Sequence, residues 1–199
     1  MPELKLHLGA FDHIVPGWIN TDVTPHLRVA RVPGLAWLLR RLGIMGEQRY
    51  EQHCRGVFRQ MRRLDVSRRF PWPDGSVAAA YCSHLLEHLY PEEAERCVAE
   101  VARVLRPGGV FRIAVPDLDA IVRAYDAAEP ERFLDAIFEG RHRHDKNRHH
   151  WHYNEALLRA LLTRAGFASV RRCEYRKGSA PDVEALDTRP ESLFVEGVR

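Results

Sequence analysis

Residues 4–22 read LKLHLGAFDHIVPGWINTD, and this segment gives the strongest indication of the fold class. Its first six residues alternate apolar and polar side chains and end at Gly9, which is typical of a strand entering a tight turn. Residues 18–22 predict a second short strand, which ends at Asp22. The chain therefore begins with two strands joined through a glycine turn, and the segments that follow indicate how the sheet continues.

Strand and helix patterns alternate along the rest of the chain. Residues 77–82 form a small-apolar run typical of a strand buried on both faces. The clearest helix covers 91–105, because Pro91 suits a first turn and the acidic residues after it suit the positive end of the helix dipole. Further segments predict a strand at 110–115, helices at 118–127, 131–138 and 154–165, and late strands at 170–175 and 193–198. This alternation favours a mostly parallel α/β sheet.

Two helices are predicted between the second strand and the middle of the chain, over residues 27–42 and 47–63. They carry nine arginines, which form either a solvated face or a surface for an anionic substrate or partner. The apolar run at residues 35–39 either covers the active site or pairs two subunits as a homodimer.

Composition limits the class of protein. A chain of 199 residues is expected to form one domain, and 45% hydrophobic residues exclude a disordered chain. No apolar run approaches the roughly 20 residues of a membrane span, and the lack of an export signal favours the cytoplasm. A net charge of +3 is too small to indicate nucleic acid. None of the four cysteines forms a C-x-x-C pair, so buried thiols are expected.

Ligands of a parallel α/β sheet bind beyond the carboxyl ends of its strands. The residues at these positions are Gly9 after the first strand, Asp22 after the second, Asp65 with Val66 after the middle loop, and Ser83 with His84 after the strand at 77–82. Glycine lets the backbone approach a ligand closely, and a carboxylate can accept both ribose hydroxyls. Together the positions predict a nucleotide-type pocket.

Three segments carry a resemblance to a known family. They are LHLGAFDHIVPGWINTD (residues 6–22), FPWPDGSVAAAYCSHLLEHL (70–89) and VARVLRPGGVFRIAVPDL (101–118). They resemble the class I S-adenosylmethionine-dependent methyltransferases, and in particular the small single-domain, methyltransferase-11-like kind found in glycan and natural-product biosynthesis. The late segment HHWHYNEALLRALLTRAGF is also similar to that group. The resemblance covers most of the chain apart from residues 27–60.

The resemblance implies a Rossmann-like, doubly wound, mostly parallel sheet of seven strands with an antiparallel last strand. It also implies a single domain over residues 1–199, with a helical insert at about 27–63 and a His-rich loop at about 140–153. The cofactor would be S-adenosyl-L-methionine. Its implied contacts are Gly9, Ala10 and Phe11 at the methionine part, Asp22 at the ribose, Asp65 and Val66 at the adenine, and Ser83 beside the sulfonium. The family's loop is usually G-x-G-x-G, whereas Phe11 replaces the second glycine here.

Methyl transfer to a hydroxyl is helped by a base with a pKa near neutrality. We favour His84 as this base, followed by His88 and Glu87, although either of the last two could instead brace the loop. The predicted activity is O-methylation of a small molecule or a glycan. Two alternatives are a catalytically inactive methyltransferase-like partner subunit and a metal-binding protein. An RNA substrate is less favoured, because no appended RNA-binding domain is found, although the arginine-rich helices at 27–63 keep it open.

The His-rich loop reads GRHRHDKNRHHWHY over residues 140–153. It is an exposed polar loop, a lid over the acceptor or a metal site. The family resemblance places it near the acceptor, so His149, His150, Trp151 and Tyr153 are expected to contact the substrate. The histidine spacing fits no standard metal motif, and no metal ligand is assigned from it.

Overall fold

The computed structural model describes residues 3–138 and 148–199. The described residues form seven strands: β1 (Lys5–Leu8), β2 (Ile19–Asp22), β3 (Arg62–Arg63), β4 (Val77–Ser83), β5 (Leu105–Val115), β6 (Ser169–Cys173) and β7 (Leu193–Val198). Their helices are α1 (His26–Val29), α2 (Leu35–Arg41), α3 (Glu47–Cys54), α4 (Pro91–Val104), α5 (Leu118–Arg123), α6 (Pro130–Phe138), α7 (Glu155–Arg164) and α8 (Val183–Leu186). Single turns of 3₁₀ helix cover Val57–Arg59 and Leu86–His88.

The strands form one sheet in the order β3-β2-β1-β4-β5-β7-β6. Strands β1 to β5 pair in parallel, and β7 runs antiparallel between β5 and β6. The predicted α/β sheet of seven strands with an antiparallel last strand is thus confirmed. The chain leaves β1 toward β2 on one side and reaches β4 on the other, so the topological switch point lies between β1 and β4.

The main core lies between the sheet and the helices packed on it. Helix α4 buries an apolar stripe on the sheet (Ala94, Cys97, Val98, Val101, Ala102 and Val104). At its start the Tyr90 N–H donates to Glu93 Oε2 over 3.1 Å, and Pro91 lies in the first turn. At the start of α7 the Asn154 side chain accepts the Leu157 N–H over 3.0 Å. These two helices keep the predicted boundaries to within one residue.

The region between β2 and β4 differs from its prediction. Residues 27–42 do not form one helix, because Pro33 and the left-handed Gly34 (φ +77°) separate α1 from α2. Residues 47–63 are interrupted in the same way by Gly56 (φ +71°). The chain then turns into β3, which pairs with β2 through Thr21 to Arg62 and Asp22 to Arg63. The predicted insert therefore ends in an edge strand of the sheet.

Helix α2 contributes no buried residue. Trp37 and Leu38 in this helix are 53% and 43% exposed, so these two side chains of the apolar run at residues 35–39 face outward. Its pairing with a second subunit stays a prediction. Among the described residues, no helix combines the length and the apolar character needed to cross a lipid bilayer.

The cysteine prediction holds in part. Cys82 and Cys97 are buried as expected, and burial raises the pKa of both thiols. Cys54 is exposed at the end of α3, and Cys173 is half-buried in edge strand β6.

Candidate functional site

The strand ends that the sequence singled out meet at one edge of the sheet. Leu8 is registered with Thr21 on one side and with Cys82 on the other. The next residues along these three strands are Gly9, Asp22 and Ser83, which therefore lie side by side. This is the carboxyl edge of the parallel strands, at the switch point where ligands of such sheets bind.

The loop after β1 has the tight geometry that its glycine predicts. Gly9 adopts φ +65°, and a Cβ there would approach Leu85 Cδ1 to 2.9 Å. Phe11 also has a positive φ, +49°, although a ring stands where the family's loop has glycine. Such a conformation costs roughly 1–2 kcal/mol for a residue with a side chain. The loop therefore keeps its turn despite the substitution, with the Phe11 ring 45% exposed.

Asp22 holds this loop through its carboxylate. The Phe11 N–H donates to Oδ2 over 3.0 Å, and the Thr24 N–H donates to Oδ1 over 2.6 Å. Burial raises the pKa of Asp22, against these hydrogen bonds, which lower it. A carboxylate has about four acceptor positions, so acceptor capacity remains on both oxygens. The side chain thus fits a pair of ribose hydroxyls.

Helix α3 packs on the outside of the same loop. The Arg49 guanidinium lies 4.5 Å from the centre of the Phe11 ring and donates to Asp12 Oδ2 over 3.1 Å. Gln52 donates to the same oxygen over 2.8 Å. The insert between β2 and β4 therefore covers the glycine loop, a contact that the sequence alone did not indicate.

Asp65 follows β3 at the same edge of the sheet. Its Oδ1 accepts hydrogen bonds from the Ser67 N–H over 3.1 Å and from the Ser67 hydroxyl over 2.7 Å. The Ser67 hydroxyl is the main cause of a lowered pKa at Asp65. Val66 beside it is buried, and Ala10 in the glycine loop is buried as well. Asp65 is thus an ionised acceptor on the adenine side that the resemblance implies.

His84 stands at the end of β4 in a left-handed conformation, with φ +48°. Its Nδ1 lies 3.1 Å from Glu87 Oε1, and its Nε2 lies 2.9 Å from the Ser192 hydroxyl. Ser192 directly precedes β7, whose antiparallel direction brings its start to this edge. The sequence reasoning missed Ser192, because only the order of β5 and β7 places it beside His84.

Glu87 and His88 lie in the 3₁₀ turn after β4. Glu87 is fully buried, so its carboxylate cannot reach a substrate in the described arrangement. His88 is half-buried, with Nδ1 3.1 Å from the Arg148 carbonyl oxygen. Among the three candidate catalytic residues, His84 therefore lies in the position best suited to contact an acceptor.

The described end of the His-rich loop packs on this turn. The backbone N–H groups of His150 and Trp151 both donate to the Glu87 carbonyl oxygen, over 2.7 and 3.2 Å. The His150 ring stacks on Tyr90 at 4.3 Å, while the Trp151 side chain is 44% exposed. Tyr153, only 4% exposed, lies in the core and pairs with Asp117. His142 and His144 fall outside the described residues.

Comparison with known proteins agrees with the fold. The family model "Methyltransferase domain" matches residues 45–113. A putative methyltransferase of Haloferax volcanii, solved with the Trm112 activator, is 16% identical, with a TM-score of 0.53 over 99% of this chain and 82% of that chain. A SAM-dependent methyltransferase from Archaeoglobus fulgidus is 11% identical, with a TM-score of 0.56 over 99% and 86%.

Some solved neighbours are longer than this chain. A putative O-methyltransferase from Nostoc punctiforme is 12% identical, with a TM-score of 0.52 over all of this chain and 53% of that chain. This chain spans about half the length of such neighbours. The fold is that of the class I methyltransferases. The family match over residues 45–113 adds a sequence similarity to methyltransferase domains.

Proposed function

We propose that the protein methylates a hydroxyl group of a small molecule or a glycan and that His84 is the general base. The observation that carries this proposal is the position of the His84 ring. It lies at the switch point, with one nitrogen facing the buried Glu87 and the other facing the Ser192 hydroxyl. S-adenosyl-L-methionine supplies an electrophilic methyl group on a sulfonium.

The two partners of His84 define its chemistry. Since Nδ1 faces a carboxylate, the ring tautomer with a proton on Nδ1 is favoured, and the lone pair resides on Nε2. A hydroxyl in the direction of Ser192 Oγ would lie within hydrogen-bonding distance of that lone pair. His84 Nε2 would accept the proton of that hydroxyl when its oxygen is methylated. Glu87 is then a positioning residue that stabilises the imidazolium.

Residues of the glycine loop and the strand ends would hold the cofactor. Gly9, Ala10 and Phe11 would border its methionine part, and Ser83 its sulfonium. Asp22 would accept the ribose hydroxyls, and Asp65 with Val66 would contact the adenine. On the acceptor side, the exposed Trp151 ring offers a stacking surface for a sugar or an aromatic ring. His149 and His150 border the same side, and Tyr153 supports it from the core.

The test is release of S-adenosylhomocysteine with a panel of phenols, monosaccharides and amines. We expect hydroxyl compounds to be methylated and His84→Ala to lower kcat by roughly 10²–10⁴-fold, the usual contribution of a general base. Cofactor affinity in this variant should equal that of the wild type. Ser192→Ala is the matched control, since it removes the neighbour of His84 but not the base, and it should retain most of kcat. Wild-type kcat in His84→Ala, or methylation of amines alone, would contradict the proposal.

A further inference from the structure

The carboxylate of Glu87 is buried without the partners that such a group normally has. Its side chain has no exposed surface, and neither oxygen accepts a hydrogen bond from any residue in 3–138 or 148–199. His84 Nδ1 is near Oε1 at 3.1 Å, and within the described residues Oε2 has no hydrogen-bond partner. Burial of an uncompensated carboxylate costs several kcal/mol. A cation bound to the carboxylate would offset this cost.

Two imidazoles converge on that carboxylate from different parts of the chain. Glu87, His88 and His149 each offer one ligand atom, and these atoms all lie within 4.8 Å of one another. The His88 and His149 rings meet edge to face, with centroids 4.9 Å apart. His149 lies about sixty residues after His88 in the sequence, so no motif of closely spaced ligands indicates this cluster.

The hydrogen bond made by His88 sets the tautomer of its ring. His88 Nδ1 lies 3.1 Å from the Arg148 carbonyl oxygen, so Nδ1 carries the proton and Nε2 the lone pair. A metal-binding histidine typically donates its other N–H in this way. The neighbouring His152 repeats the pattern, with Nε2 2.6 Å from the Ile137 carbonyl oxygen and its ring 5.1 Å from that of His149. Its buried Nδ1 has no hydrogen-bond partner among the described residues.

We propose that Glu87, His88 and His149 bind a divalent transition-metal ion of the Zn²⁺ class. Two imidazole nitrogens and one carboxylate oxygen suit such ions, whereas Mg²⁺ and Ca²⁺ favour oxygen ligands throughout. Ligand atoms about 2.1 Å from a tetrahedral ion lie roughly 3.4 Å apart. In the structure the ligand atoms lie within 4.8 Å of one another. Rotation of the half-buried His88 and His149 side chains would bring them to the shorter spacing that a bound ion requires.

The bound ion joins the turn after β4 to the segment that leads into α7. The Glu87 carbonyl already accepts the N–H groups of His150 and Trp151, so the ion adds a side-chain link to an existing backbone link. Three protein ligands leave one position of a tetrahedral ion open.

The first experiment measures Zn²⁺ affinity of the full chain, purified without a His tag, by competition with a chromophoric chelator. Co²⁺ absorption reports the ligand set. We expect one ion per chain, d–d bands of a four- or five-coordinate site, and no thiolate-to-cobalt band. Loss of a residue that only supports a metal ligand typically weakens metal binding by about 10–100-fold. His88→Ala and His149→Ala each remove a direct ligand, so each should weaken Zn²⁺ binding by more than about 100-fold. His150→Ala, one residue away and stacked on Tyr90, should bind Zn²⁺ as the wild type does.

A second variant separates ligand loss from misfolding. Glu87→Gln keeps the shape but removes the charge, so the apoprotein should melt at a higher temperature than wild-type apoprotein. Zn²⁺ should raise the Tm of the wild type but not of Glu87→Gln. The proposal is overturned if the wild type binds no Zn²⁺, if Glu87→Gln binds it equally well, or if His150→Ala loses as much affinity as His149→Ala. None of these readouts depends on methyl transfer.

Discussion

His84 shows how a single backbone angle can place a chemical group. A positive φ is costly for any residue with a side chain, so the surrounding structure must enforce it. Here the His84 N–H donates to the Ala114 carbonyl oxygen of β5, while both ring nitrogens face side chains. The histidine as a candidate base was predictable from its place after a strand. Its partner Ser192 was not, because that contact depends on the pairing of β7 with β5.

His7 illustrates a residue whose titration affects stability. It lies in β1, only 2% exposed, with Nδ1 3.1 Å from Asn20 Oδ1. Burial is the main cause that lowers its pKa to about 4. Since the unfolded chain has a histidine pKa near 6.5, it binds more protons than the folded chain between about pH 4 and 6.5. The free energy of unfolding therefore falls as the pH falls through this window.

We expect His7→Gln to flatten that dependence. A pKa shift from 6.5 to about 4 corresponds to about 3 kcal/mol in the free energy of unfolding. The wild type should have lost all of this contribution only near pH 4. Urea unfolding of both proteins at pH 7 and pH 5 measures the effect. Burial also lowers the pKa of His26 and His53, so part of the slope should remain in the variant. An unchanged slope in His7→Gln would contradict the buried, neutral state of this ring.

At the scale of helices and strands, the elements with the clearest local sequence patterns were predicted most accurately. Helices α4 and α7 combine an apolar stripe with a capping residue, and both were predicted closely. The helices between β2 and β4 were predicted too long, because their periodicity continues across Pro33, Gly34 and Gly56. Strand β3 has only two residues, and both are exposed, so no sequence pattern predicts this strand. Its extended structure depends on its pairing with β2.

A buried ion network joins β5, β7 and the segment before β7. Arg112 donates to Asp187 Oδ1 over 2.9 Å and to Glu196 Oε1 over 3.0 Å, and all three side chains are fully buried. Glu196 also accepts the backbone N–H groups of Ser179 and Ala180. The network therefore fixes residues 174–187 against the sheet and holds the start of β7, with Ser192, in register.

We expect Asp187→Ala to destabilise the protein by about 3–5 kcal/mol, the range for a buried ion pair broken on one side. Chemical denaturation measures this loss. The matched control is Asp74→Ala, which breaks the exposed pair with Arg103 and should cost at most about 1 kcal/mol. Equal effects of the two variants would contradict a structural role for the network.

At the scale of the whole molecule, the sheet order explains why distant segments form one site. Strands β1, β2, β3 and β4 are parallel neighbours, so the residues that follow them meet at one edge. The sequence could predict these positions one by one from strand patterns and from the resemblance. It could not predict the contacts between chain segments far apart: α3 on the glycine loop, Ser192 on His84, and His149 near Glu87.

The most direct test of the proposed cofactor pocket is calorimetric titration with S-adenosyl-L-methionine at pH 7.5. The wild type should bind one equivalent, and Asp22→Ala should bind at least about tenfold more weakly, since each hydrogen bond to a charged group contributes roughly 1.5–3 kcal/mol. Asp74→Ala, at the opposite edge of the sheet, serves as the control and should bind like the wild type. Absence of binding in the wild type, or equal affinity of Asp22→Ala and the wild type, would contradict a cofactor site at the carboxyl ends of β1, β2 and β4.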